Sequence, residues 1–200
     1  MAWRQAVDDE DNQDASMARL TIALNAATDF AQADLSLEIT YARFQHGWVY
    51  YTIYPAFDGR PLLNGGTLKA SHHHNPAYRP GSVSACEDEF CSLLPTMRRF
   101  IETGNPEEWT PTEPDVTLKL ARDQDDTASV NLLLEIDQYQ WCGVGAYGGS
   151  MISVGFTCAS GAFHQFYREL RAEFVAFRDA NDITGFNKAR DFRRPQHEWF

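Results

Sequence analysis

Hydrophobic positions recur along the chain with two different periods, and the change of period marks out its elements. Leu20, Ile22 and Leu24 alternate with polar or small neighbours, as do Leu35, Leu37, Ile39 and Tyr41. Val49, Tyr51 and Ile53 form a third alternating run, with Trp48, Tyr50 and Tyr54 on the opposite face. Period two puts alternate side chains on one buried face, so each run predicts a strand. His46-Gly47 separates the second and third runs and is placed to turn a hairpin. From Pro55 to Ser84 the pattern has no clear period and carries Gly59, Pro61, Gly65, Gly66, Pro76, Pro80 and Gly81. A loop this long inside a domain is unusual and tends to be functional or mobile.

The period then changes. Ser84-Ala85-Cys86-Glu87 fits a capping box, and Phe90, Leu93, Leu94, Met97 and Ile101 fall at helical spacing. Gly104 is the predicted stop, with Pro106 beyond it. Pro95 lies inside this helix and is expected to kink or restart it, because proline removes a backbone donor. Three more alternating runs follow: Val116, Leu118 and Leu120; Val130, Leu132, Leu134 and Ile136; Ile152, Val154 and Phe156. Asp123 to Thr127 is a polar turn between the first two, and Gln138 to Ser150 is a Gly-rich aromatic connection between the second and third. A last helix is predicted from Ser160, a favourable N-cap. Its apolar stripe is Phe163, Phe166, Tyr167, Leu170, Phe174 and Phe177, and Arg168, Glu169, Arg171, Glu173 and Arg178 cover the other face. The order is βββαβββα. Runs of strands joined by short turns predict an α+β fold, an antiparallel sheet of about six strands with two main helices packed on it.

The ends lack these periods. Residues 1–16 carry Asp8, Asp9, Glu10, Asp11 and Asp14 with almost nothing apolar, the composition of a disordered acidic arm. Residues 17–184 make the single predicted domain. Residues 185–200 form a basic and aromatic tail with Lys188, Arg190, Arg193, Arg194, Phe192, Trp199 and Phe200.

Composition adds charge to this outline. The 200 residues are 44% hydrophobic and 22% charged, ordinary for a globular chain. The formal net charge is −11. That sign repels nucleic acid and anionic membrane and attracts basic surfaces, although acidity also serves solubility alone. Part of the charge sits in the arm, so the folded body is less acidic than the total. The four cysteines, Cys86, Cys91, Cys142 and Cys158, show no CxxC spacing. Met1 to Glu10 has no apolar run, and no stretch approaches the roughly 18 apolar residues of a membrane span. The expected location is cytoplasmic, with reduced thiols.

Candidate chemistry is sparse. His72-His73-His74 diverge in any regular backbone, and no neighbouring Cys or carboxylate completes a zinc spacing, so no metal is expected. Cys86, Cys91 and His164 supply a thiol and a base without a local motif that joins them. Gly143-Val144-Gly145-Ala146-Tyr147-Gly148 leads into a strand, whereas a phosphate cradle needs a helix N-terminus. No catalytic residue and no cofactor is therefore expected. Glu135 and Asp137 share one face of their predicted strand, either as paired carboxylates or as part of its solvated side. Trp48, Tyr50 and Tyr54 on a strand face, with Tyr139, Trp141 and Tyr147 in the Gly-rich connection, are the residue types that anchor interfaces. The same rings would serve equally well packed under the long loop. These eight residues are the candidate partner-binding set.

From Glu87 onward the layout resembles the WapI-type immunity proteins of bacterial polymorphic toxin systems and related small families. The residues that carry it are Glu89, Phe90, Leu93, Leu94, Phe100 and Ile101, then Trp109 to Leu120, the strand Val130 to Asp137, and Ile152 to Thr157 running into Phe163 to Leu170. The resemblance implies an antitoxin: a cytoplasmic protein that binds a toxin domain and blocks it, without catalytic residues; the acidic charge would suit a basic toxin. Two other classes remain open, an acidic nucleic-acid mimic acting on a nucleic-acid-binding protein, and an enzyme with a dispersed site.

Overall fold

The computed structural model describes residues 19–24, 33–45, 47–63, 81–88, 91–112, 116–137, 151–181 and 183. The acidic arm, the basic tail and His72 to His74 lie outside the described residues. The chain is α+β, with antiparallel sheets and two helices, as the alternation implies. In place of one sheet of about six strands there are two, because strands pair only within the segments before and after α1, and short strands add to each. The first, sheet A, contains β1 (Arg19–Leu24), β2 (Ala33–Gln45), β3 (Trp48–Phe57), β4 (Arg60–Pro61) and β5 (Val83–Asp88). The second, sheet B, orders β6 (Glu107–Trp109), β7 (Val116–Arg122), β8 (Ser129–Asp137) and β9 (Met151–Ala159). Helix α1 is Leu93–Thr103 and helix α2 is Ser160–Ala180.

Gln45 pairs with Trp48, which leaves the two-residue turn expected at His46-Gly47, and Gly47 takes φ 84° as such a turn requires. The described ends of the span from Pro55 to Ser84 carry strand pairings that its lack of period does not suggest. β3 continues to Phe57, β4 folds back on it, and Val83 opens β5 against Ile53. Gly81, at φ 89°, lies so close to Pro61 that a Cβ there would collide with the proline ring.

Helix α1 corrects two expectations. Ser84 to Glu87 is not a capping box but part of β5, and the helix starts after Ser92. Pro95 is the third residue of the helix, where an amide has no intrahelical acceptor, so it neither kinks nor restarts it. Thr96 N–H makes the first helical bond, to Ser92 O at 3.0 Å. Gly104 ends the helix as expected, at φ 68°, donating to Phe100 O at 2.8 Å. Ala159, rather than Ser160, caps α2. The Ser160 N–H donates instead to Ala128 O at 2.7 Å and ties the helix start to the β7–β8 turn.

One apolar cluster unites the inward rows of both sheets with both helices. α2 packs on strands of each sheet and on α1, so its stripe Phe163, Phe166, Leu170 and Phe174 serves both sheets. Phe163 meets Phe100 of α1 edge-on at 5.5 Å, and Trp109 of β6 meets Tyr51 of β3 edge-on at 5.5 Å. No helix among the described residues is long and apolar enough to cross a membrane.

Candidate functional site

Each sheet turns one row of side chains inward and the other away from the shared core. The outward row of sheet A holds the aromatic candidates. Trp48 lies opposite Gln45, and Tyr54 opposite Glu38. Tyr50 lies opposite Arg43 because β2 carries a bulge between Tyr41 and Arg43. The extra residue, Ala42, reverses the alternation, so Phe44 packs on the core and Arg43 faces outward. Its guanidinium sits over the Tyr50 ring, 4.4 Å from the centroid. The bulge also frees the Tyr41 amide from the ladder. That N–H donates to Glu173 Oε1 of α2 at 2.9 Å, which anchors the bulge to the helix.

This outward row is not open. Tyr50 is 8% exposed, Ser36, Glu38, Thr52, Ser84 and Cys86 are buried, and Trp48 and Tyr54 are half-buried. Of the three aromatics, Tyr50 is thus a packed side chain.

The carboxylate candidates lie on the other sheet. Glu135 is on the outward row of β8, and its Oε2 accepts from Lys119 Nζ of β7 at 2.8 Å. That hydrogen bond, with a smaller contribution from Glu108, holds the Lys119 ammonium above its ordinary pKa. Asp137 ends the same row, but at 1% exposure it is buried and does not belong to a solvated face with Glu135. Tyr139, Trp141, Tyr147 and the glycines of Gly143 to Gly148 lie outside the described residues. The structure therefore does not gather the described candidates into one patch.

Elsewhere the outward row of sheet B differs by strand: Thr117 of β7 is buried, Lys119, Asn131 and Leu133 are half-buried, and β9 is open. Along β9, Met151, Ser153, Gly155, Thr157 and Ala159 are all exposed, and nothing stands within 4 Å of a Cβ placed on Gly155. Across the sheet, Gly155 lies beside Leu133, then Lys119, then Glu108. Thr157 Oγ1 donates to Asn131 Oδ1 at 2.7 Å, and Asn131 Nδ2 donates to Asp123 Oδ2 at 3.2 Å. This chain of bonds fixes the acidic β7–β8 turn to one end of the face. Within the turn, Asp123 Oδ1 accepts the backbone N–H of Asp125 at 2.9 Å and of Asp126 at 3.2 Å. These amides, together with Asn131, hold the Asp123 carboxyl below its ordinary range.

A second feature was missed in the reading of the sequence. Glu87 continues the inward row of Val83 and Ala85 and is 3% exposed. Its Oε2 accepts from Tyr51 Oη at 2.5 Å. Its Oε1 accepts from Trp109 Nε1 at 2.7 Å, Ser92 N–H at 3.2 Å and the Ser92 hydroxyl. One carboxylate so joins β5, β3, the start of α1 and β6 of the other sheet. Burial pushes its pKa up, opposed by the bonds from Ser92, Tyr51 and Trp109. Tyr51 is pushed well up, first by burial and then by the nearby Glu87 charge. The signal for this node was present in the sequence, since an acid at the third place of an alternating run Val83-x-Ala85-x-Glu87 is aimed at the core.

Cys86 and Cys91 are buried, Cys86 on the outward row of β5 and Cys91 at φ 43° between β5 and α1, while His164 is exposed on α2. Burial pushes the Cys158 thiol up to about 11. Among the described residues no three His, Cys, Asp or Glu side chains are placed to hold a metal ion. No protein-family model matches the chain, and no curated protein matches it.

Proposed function

We propose that this chain is a non-catalytic binding protein, an immunity protein that binds a cognate bacterial toxin and neutralises it in the cytoplasm. One observation carries the reading. The outward face of sheet B is open along β9, while its inward face is locked into the core by Leu118, Leu120, Leu132, Leu134, Ile136 and Phe156. A rigid face of this kind offers a preorganised surface, which lowers the ordering cost of association. The likeness of residues 87 onward to WapI-type immunity proteins supports the same reading, and the net charge of −11 favours capture of a basic partner.

The test is to read the genes beside this one and to co-express the chain with any toxin domain they encode; a neighbourhood without one counts against the reading. The expected result is rescue of growth and a stable heterocomplex whose association slows as salt rises. A neighbouring toxin that neither binds this chain nor loses toxicity in its presence overturns the reading.

A further inference from the structure

We infer that the outward face of sheet B docks a basic protein surface, one that presents lysine and arginine side chains to Glu108, Glu135 and the β7–β8 turn. The inference rests on the binding reading above and adds the surface and the chemistry of its partner.

Charge is the first support. Five carboxylates, Glu108, Glu135, Asp123, Asp125 and Asp126, border or occupy this face. Lys119 is the one cation on the outward rows of sheet B among the described residues, and it is already engaged by Glu135. Arg122, at the turn end of β7, has inward register, lies over the Phe100 ring and donates to Thr127 O, so it offsets one charge of the turn and leaves five carboxylates against two cations. The potential over an open sheet with this arrangement is negative and attracts cationic groups.

Shape is the second. Ser153, Gly155 and Thr157 keep the β9 side low, and an added Cβ at Gly155 meets only open space. Leu133, half-buried at the centre, and Met151, 41% exposed at one end, supply apolar contact for the methylene stems of Lys and Arg. Sheet A offers no equivalent: its outward row is mostly buried, and Arg43 and Arg19 place two cations on it.

An incoming cation competes with the Lys119 ammonium for Glu135, so removing Lys119 strengthens docking.

The experiment uses the full chain, isotopically labelled, titrated with an oligolysine peptide and with an oligoglutamate control, and followed by NMR. Oligolysine is expected to shift the amides of Lys119, Leu133, Gly155 and Thr157, with affinity that falls as salt rises. The triple variant Glu108→Gln, Asp125→Asn, Glu135→Gln is expected to weaken the peptide at least tenfold, as loss of three rim charges implies. Lys119→Gln is expected to tighten it by about threefold, and Gly155→Trp to block it by bulk alone. A footprint confined to the acidic residues 8–14, shifts spread evenly over the chain, or weaker binding by Lys119→Gln each overturns the inference. The binding reading fails separately. Toxin rescue that survives the triple variant and Gly155→Trp keeps the immunity role and removes this surface from it, whereas an oligolysine footprint on sheet B without toxin rescue does the reverse.

Discussion

The two sheets are built from the same kind of alternating hairpin, yet the outward row of sheet A is mostly buried while that of sheet B opens to solvent along β9. In sheet A the outward residues Ser36, Glu38, Tyr50, Thr52, Ser84 and Cys86 are withdrawn from water almost as fully as the core row. In sheet B the outward residues of β9 are all exposed. The inward rows differ as well. Sheet B turns a row to the helices that is apolar except at its ends, Glu107 and Arg122, whereas sheet A inserts Glu87 into the core and satisfies it with three side chains and a backbone amide. An alternating pattern therefore specifies which residues share a face. It does not specify whether the second face meets solvent.

The largest effect should come from breaking the polar node at Glu87, which ties sheet A to Trp109 of sheet B. Glu87→Ala leaves the Tyr51 hydroxyl, the Trp109 indole N–H and the Ser92 donors buried without their acceptor. The expected loss in denaturant unfolding is about 3–5 kcal/mol, as for removing one partner of a buried charged group. Trp109→Phe removes a single donor and keeps most of the packing, and should cost about 1–3 kcal/mol. Equal costs for the two variants would show that Glu87 acts only through Trp109.

Gly81→Ala should destabilise by more than about 1 kcal/mol, because it demands φ 89° of an alanine and drives its Cβ into Pro61. Gly155→Ala on sheet B should do the reverse, stabilising by about 0.5–1 kcal/mol, since the strand gains propensity and the methyl enters open space. Identical signs at the two glycines would contradict the difference between a closed and an open face.

The smallest effect is a difference of sign in the pH dependence. The folded pKa of Glu87 is raised above its ordinary 4.5, so the folded state holds the proton more tightly than the unfolded chain does. Its contribution is full below that value and is lost as pH rises through the folded pKa. Asp123 is lowered from its ordinary 3.8, so its contribution is present above that value and is lost as pH falls through the folded pKa. Stability measured against pH should therefore show a decline above pH 4.5 that Glu87→Gln abolishes. It should also show a decline below pH 3.8 that Asp123→Asn abolishes. The same direction of change in both variants would remove the distinction.

Much of the fold was legible because side-chain periodicity is local. The runs at Leu35 to Tyr41, Val49 to Ile53, Val116 to Leu120, Val130 to Ile136 and Ile152 to Phe156 all became strands, and the Phe163 to Phe174 stripe became the buried face of α2. Where reading failed, a non-local partner decided. β4 and β6 are too short to show a period and exist because β3 and β7 offer an edge. Ser84 to Glu87 has the letters of a capping box, but pairing of Val83 to Asp88 with β3 takes those residues into a sheet. The bulge at Ala42 leaves no mark in composition, and it alone turns Arg43 onto Tyr50.

The candidate site was legible only in part. Its outward register could be read for Trp48, Tyr50, Tyr54 and Glu135, since alternation is a property of the strand. That the aromatics and the carboxylates belong to different sheets could not, because sheet membership depends on pairing between distant segments. The sequence by itself determined the α+β class, the two helices, the inward rows and the acidity of the chain, all of which follow from the period and chemistry of neighbouring residues. Only the tertiary structure decided that there are two sheets, that Glu87 joins them from inside the core, and that the open face is the one around Gly155. Each of these depends on which remote surface covers a residue, and burial by a remote surface is not encoded in any local pattern.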